Sequence, residues 1–468
     1  MAGWKPVLGG AHEFPLSPPA AICYVAQVMS IDPSRRRVVI TGMGLVSPLG
    51  SHPDGFWQHL AARDSGVVEC TILPSRAAGL PLRYAGEARQ FTGDIADFGD
   101  LEGDKKKSIR KGLKVMSRET QMAVAAAGLA ITHAGLSSEQ YNPERAGVVL
   151  GSDYMLTMPE DYIDGMRKCA PHEAFEFEKW GDEGLEQMAP LWMLKYLPNM
   201  PASHIAILND LRGPNNSLTL REAASNMAVG EAFRTIARGH ADMMLGGATG
   251  TRILPMQAIH AMQTEELATG EVDPATASRP FDAGRIGMVA GEGAGVVVLE
   301  EREAALGRGA TIYGEVVGLG ASTVADKNLR GDAERAFAGA LRLALADAEI
   351  GPDEVGHINA HAMGTREGDR AEAAALAAVF GSRLESIPVT ALKSYFGNLG
   401  AGSGAVELMG SLLAFQHGQL PAVLNYTTPD PECSVKVATG SEPPGQYAVC
   451  LSVTPQGQAS VLVVKSPS

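Results

Sequence analysis

An α/β fold with large buried sheets is predicted by three observations: glycine-stopped apolar runs, alanine-rich stretches of helical period, and the alternation of the two along 468 residues. The first apolar run is Arg37-Val-Val-Ile-Thr-Gly-Met-Gly44. Similar runs recur at Arg145 to Gly151, Ala241 to Ala248 and Gly293 to Leu299. Their continuous apolarity, without alternation, predicts strands buried on both faces. The helical stretches run from Thr120 to Gly135, Ala223 to Gly239, Glu334 to Glu349 and Asp369 to Phe380. Strands alternating with helices of this length predict largely parallel sheets with helices on their faces. The chain changes character near Arg279-Pro-Phe-Asp282, so the expected seam divides a first half, 35–280, from a second, 281–468. Residues 154–209, rich in Met, Trp, Pro and acidic side chains, read as an insert that decorates the scaffold and lines a pocket or a subunit contact. Residues 1–34 read as a poorly ordered extension, with Met29 a candidate start.

Composition narrows the function classes. A net charge of -14 opposes a nucleic-acid surface, which needs clustered Lys and Arg. The exception is a basic run, Lys105, Lys106, Lys107, Arg110, Lys111 and Lys114, leading into the amphipathic segment 116–134. It is either a solvated helix start or a docking patch for an acidic partner. Five cysteines, Cys23, Cys70, Cys169, Cys433 and Cys450, lie far apart without a CxxC pair. Neither a disulfide framework nor a thiolate metal cage is expected, and a reducing cytoplasm is the expected compartment. No apolar run approaches the 18 to 20 residues, roughly, that cross a bilayer.

Three places have the composition of a site. In Ser217-Leu-Thr-Leu-Arg-Glu-Ala-Ala-Ser225 an extended segment turns abruptly into an alanine-rich helix, and Glu222 sits at the corner, before the free N–H groups of the helix. There a carboxylate is either a stabilising helix-terminal charge or a functional group. In Asn359-Ala-His-Ala-Met-Gly-Thr-Arg-Glu-Gly-Asp369, His361 lies at a strand end, where α/β proteins place catalytic groups. His357 and His361 lie on an extended segment, not one helix face, so no metal pair is expected. The third place, Lys393-Ser-Tyr-Phe-Gly-Asn-Leu-Gly-Ala-Gly-Ser-Gly-Ala-Val-Glu407, reads as strand, glycine turn and helix, without a nucleotide-binding fingerprint.

In order and spacing these three places resemble the active-site blocks of the β-ketoacyl-ACP synthases, and the resemblance runs from about Arg37 to Lys465. Val38 to Gly50 is similar to the family's opening strand, and Arg279-Pro-Phe-Asp282 with Gly291-Glu-Gly-Ala-Gly-Val-Val-Val-Leu-Glu-Glu301 to its central signature. The resemblance implies a thiolate-free reading of a thiolase-like fold: two similar halves in a five-layered αβαβα sandwich, paired as a homodimer or with an active ketosynthase. It puts His361 on the first catalytic histidine, Lys393 on the site lysine and Glu407 on the acid that follows. It also puts Glu222 on the nucleophilic cysteine, Asn398 on the second histidine and Pro455 on the gating phenylalanine of the C-terminal loop. Pro455 and Ser225 are the expected substrate contacts.

Pro455 has no N–H to offer an oxyanion, and Glu222 is no thiol, so acyl-cysteine condensation is not expected. Decarboxylation of a malonyl thioester needs only donors that hold an enolate, such as His361 with Asn398. The resemblance therefore leaves open a malonyl-ACP decarboxylase or other acyl-transfer enzyme, an inactive partner similar to chain-length factors, and a paralogue binding a different ligand. The implied cargo is an acyl or malonyl group on the phosphopantetheine arm of acyl carrier protein. Lys106, Arg110 and Lys111 are the candidate docking residues, and no metal, nucleotide or redox cofactor is implied.

Overall fold

A computed structural model describes residues 36–73, 82–172 and 174–467; the extension 1–34 and Met29 lie outside the described residues. Ten strands form two sets of five. The first set is β1 Val38–Val46, β2 Ala146–Ser152, β3 Asn215–Thr219, β4 Met243–Thr251 and β5 Ala290–Glu301. The second is β6 Gly314–Thr323, β7 Val355–Asn359, β8 Pro388–Thr390, β9 Tyr447–Val453 and β10 Gln458–Lys465. In space the first set runs β1-β5-β4-β2-β3 and the second β6-β10-β9-β7-β8. Each strand thus has a counterpart five places later, the mark of a duplicated fold. The sets meet where Val38–Ile40 pairs with Gly314–Val316.

The helices complete the layers: α1 Pro53–Ala62, α2 Gly103–Gly112, α3 Arg118–His133, α4 Met200–Asn209, α5 Ala224–Ala237, α6 Pro255–Thr264, α7 Ala333–Asp347, α8 Arg366–Phe380 and α9 Ser403–His417. Helix α3 covers the outer face of the first sheet, and α7 with α8 covers that of the second. Helices α5 and α9 lie between the sheets, giving the expected five-layered sandwich. Their crossing admits only small residues, since a Cβ on Gly404 of α9 would sit 2.3 Å from the Ser225 hydroxyl on α5.

Several expectations need correction. The sheets are mixed, not largely parallel: β4, β2 and β3 are mutually parallel, but β5 runs antiparallel to both β1 and β4, and β10 repeats this between β6 and β9. Each half closes with a strand antiparallel to its predecessor, joined by the tight turn 454–457 in the second half and through α6 and a long connection in the first. That strand in the first half is β5, so the changeover between strand sets follows Glu301 and not Arg279. Arg279-Pro-Phe-Asp282 is instead a clip: Phe281 N–H donates to Asp369, while Asp282 accepts from the N–H groups of Gly284, Thr427 and Thr428. The basic run does not merge into the amphipathic segment. It forms α2 and, at Lys114, the turn Leu113–Val115, and α3 starts anew after Ser117, whose hydroxyl accepts from Thr120 N–H. Lys393–Phe396 is a single helical turn after β8, not a strand.

Candidate functional site

Glu222 and Asn398 occupy corresponding corners of the two halves. Each follows the third strand of its set and precedes a central helix, α5 or α9. At the first corner Arg221 adopts a left-handed backbone, φ 49°, that side chains disfavour, and the chain reverses into α5. Glu222 is fully buried there. Its carboxylate does not use the helix N–H groups, contrary to the simplest reading of such a corner. Oε1 accepts from Arg252 Nη2 at 2.5 Å and from Asn398 Nδ2 at 3.1 Å, and Arg221 Nε lies 3.5 Å from Oε2. Burial alone would raise this carboxyl's pKa, but Arg252, Arg221 and the Asn398 amide outweigh it and hold Glu222 well below the usual carboxylate range.

The orientation of the Asn398 amide is fixed. Its Oδ1 accepts from Gly400 N–H at 3.1 Å and from the Ser403 hydroxyl at 3.0 Å, which turns Nδ2 toward Glu222 and the Met288 sulfur. His361, just beyond β7, is buried, and its Nδ1 has no hydrogen-bond partner. Burial, reinforced by Lys393, holds the imidazole well below the usual histidine range, so it is neutral. Lys393 Nζ donates to the His361 carbonyl and to Glu407 Oε1, both at 2.6 Å. The structure therefore gathers Glu222, Asn398, His361, Lys393 and Glu407. It does not gather Pro455, which is exposed in the β9–β10 turn, although its neighbour Gln456 accepts from Arg221 Nη1 at 3.4 Å. The buried hydroxyl of Ser225 has no hydrogen-bond partner. Lys106, Arg110 and Lys111 are exposed on α2.

Sequence reasoning missed the charged half of the site. Arg252 is fully buried and pairs with Asp153 at 3.3 Å and Glu265 at 3.6 Å as well as Glu222. Glu265 also pairs with Arg221. Burial, and behind it the Glu222 charge, push the carboxyls of Asp153 and Glu265 upward. Tyr154, at the start of the insert, accepts from Arg252 Nη1 at 3.3 Å and bonds His260. The available signal was positional, because Asp153 and Arg252 directly follow wholly buried strands, β2 and β4. Among the described cysteines, burial pushes the thiols of Cys433 and Cys450 up to about 12 and that of Cys70 upward, which disfavours their thiolates, and Cys169 is fully buried.

One carboxyl behind the site makes a pH-dependent prediction. Glu372 accepts the N–H groups of His361 and Ala362, each at 2.7 Å, and burial pushes it up to about 8. A native pKa above the unfolded value of about 4.3 means that folding favours the protonated form. That stability is fully present below about pH 4 and is lost as pH rises through the native value. Stability is expected to fall between about pH 4 and pH 8, by at most about 1.4 kcal/mol per pH unit from this group. Calorimetry should show a shallower fall for Glu372→Gln, the remainder belonging to other carboxyls that burial pushes up, among them Glu119 to about 7 and Asp369 to about 6. An unchanged slope would refute the assignment.

The comparisons agree with this architecture. The model of the β-ketoacyl synthase N-terminal domain matches residues 35–305, and that of the C-terminal domain matches 313–427. A 3-oxoacyl-[acyl-carrier-protein] synthase 2 of Coxiella burnetii is 35% identical over 402 residues, 86% of this chain and 91% of the relative. Among solved structures, the ishigamide ketosynthase/chain length factor superposes with TM-score 0.76 at 28% identity, covering 93% of this chain and 100% of that one. A type II polyketide acyl-carrier protein in complex with its ketosynthase bound to the hexaketide, AntDE:AntF, gives 0.77 at 26% identity, covering 93% and 100%. The chain belongs to the β-ketoacyl synthase family.

Proposed function

We propose that this chain is a non-condensing member of the family, with Glu222 in place of the nucleophilic cysteine, that works beside an active ketosynthase as chain-length factors do. The carrying observation is the engagement of Asn398 Nδ2 and Arg252 with the Glu222 carboxylate. A condensing site needs a thiolate and free donors for the thioester oxygen. Here the carboxylate is ionised and held by two guanidinium groups, and one side-chain donor already has its acceptor. Losing one oxyanion donor typically slows catalysis by about 100-fold or more. His361, neutral and supported by Lys393 and Glu372, keeps the arrangement of a thioester donor without the partner that would complete it.

An unpaired sheet edge supports an assembled state. Strand β3 bonds β2 along one side, and among the described residues no strand pairs with its other side. Its residues are exposed or half-buried, the condition in which an edge takes a strand from another chain. The solved ishigamide assembly, a ketosynthase with a chain length factor, supports the choice of an unlike partner. The cargo in this reading is an acyl group on the phosphopantetheine arm of acyl carrier protein, approached by α2. Reversing charge at Lys106, Arg110 and Lys111 is expected to weaken carrier binding at low salt, with the difference shrinking as salt rises. Unchanged affinity at low salt would dismiss the patch.

A second reading, decarboxylation of malonyl-ACP, is favoured by the ordered His361 and Lys393. Intact-protein mass spectrometry of malonyl-ACP separates the two. The expected result is no more acetyl-ACP than with the His361→Ala, Asn398→Ala double variant, together with a stable complex on co-expression with a ketosynthase from the same cell. Conversion that the double variant abolishes would overturn the partner reading and make the chain a decarboxylase.

A further inference from the structure

The insert carries a surface that the Glu222 site does not explain. Seven of the twelve exposed large hydrophobic residues among those described fall within 163–193, led by Phe177 (73% exposed), Leu191 (59%) and Met193 (54%). The segment is a packed lobe. Phe175 lies 6.4 Å from Phe177 and 6.1 Å from Trp180, ring to ring, and Trp180 packs so closely that a Cβ on Gly184 would sit 2.4 Å from its ring. The lobe is tied down by Lys195, which donates to Asp161 at 2.9 Å, and by the Tyr196 hydroxyl, which donates to the same carboxylate. Through 192–209 it continues to α4, where Ile207 is 76% exposed, and α4 packs beside the open strand β3.

The lobe's charge selects its occupant. Arg167 is paired with Asp164 and Lys179 with Glu176. Glu178, Asp182, Glu183 and Glu186 have no ion-pair partner among the described residues, and they flank Phe177 and Leu185 with Lys168 and the already paired Lys179, which Glu183 also attracts, to offset them. Apolar side chains at water's edge favour burial at roughly 25 cal/mol per Å², whereas the surrounding carboxylates repel any surface of their own sign. A second copy brings an excess of carboxylates, and its exposed basic helix α2 offers no apolar face, since Ile109 is buried; acyl carrier protein is acidic and an anionic bilayer is negative, so all three are disfavoured.

We infer that residues 163–193 form a docking lobe for an unlike protein that presents an apolar helix face bordered by lysine and arginine. The apolar face covers Phe177 and Leu185, and the basic border meets the four unpaired carboxylates. This does not depend on what Glu222 does, and the test reads binding alone.

The probe is an amphipathic leucine/lysine peptide of about 18 residues, long enough to be helical, with its leucine/glutamate counterpart as control, followed by fluorescence anisotropy. The lysine peptide is expected to bind more tightly. Phe177→Ser with Leu185→Ser, and separately Glu178→Lys with Asp182→Lys and Glu183→Lys, should each weaken it about tenfold, with melting temperatures unchanged. Equal binding of the two peptides, or no effect of either variant set, would overturn the proposal. So would a homodimer that Phe177→Ser with Leu185→Ser dissolves, since a second copy would then be the occupant. Should the variants fail to fold, hydrogen exchange on the unmodified protein decides: protection of 163–193 by the lysine peptide supports the lobe, and protection elsewhere refutes it.

Discussion

Replacing Arg252 by leucine is expected to cost about 3–5 kcal/mol of stability, because it leaves the buried Glu222 carboxylate with the neutral Asn398 amide and the more distant Arg221 guanidinium, 3.5 Å away. Asp153 and Glu265 lose their shared guanidinium in the same step. Their carboxyls, already pushed upward by burial, would take up protons, so the loss should be accompanied by proton uptake on folding. Glu222→Leu on the Arg252→Leu background is expected to restore part of the loss, since an apolar pair of similar volume carries no charge to desolvate. Denaturant unfolding of the two single variants and the double variant gives the coupling, expected at about 2 kcal/mol or more for groups in direct contact. Additive losses would mean that Glu222 is neutral in the folded protein, which would remove the main support for a sealed, non-condensing site.

The second large effect is expected at Lys393. Its ammonium bridges the His361 carbonyl and the Glu407 carboxylate, and all three groups are buried. Lys393→Met keeps the length of the side chain and removes the charge, at an expected cost of about 3–5 kcal/mol. Burial pushes the Glu407 carboxyl upward while Lys393 opposes that shift, so without the lysine Glu407 escapes by protonation. The cost should therefore be greater at pH 8 than at pH 5, and thermal unfolding at the two values is the check. Equal losses would show that Lys393 acts through packing and not through its charge.

Much of the scaffold was legible because its signals are local. The helices expected at 120–135, 223–239, 334–349 and 369–380 appear as α3, α5, α7 and α8, displaced by a few residues at their ends. Strand direction was not legible, since an apolar run buried on both faces carries no record of which way its neighbours point. In the site, Glu222, His361, Lys393, Asn398 and Glu407 sit in segments whose strand-to-helix turns mark them. Arg252 was marked only by following a buried strand, and Glu265, in a connecting segment, gains its importance from long-range ion pairs. The insert was legible as a departure in composition, but its ordered lobe depends on contacts such as Trp180 against Gly184, which no periodicity announces.

The matching strand order of the halves bears on how such a protein can diverge. A homodimer with one site on its symmetry axis must accept every substitution twice, at mirrored positions. Fusion into one chain releases that constraint: the corner before α5 is encoded separately from the corner before α9. One lineage of the duplicated module can adopt a salt-bridged carboxylate at Glu222 while its sibling retains an amide at Asn398, and the backbone that holds both need not change. The asymmetry between the paired corners, a carboxylate before α5 and an amide before α9, is where that freedom shows.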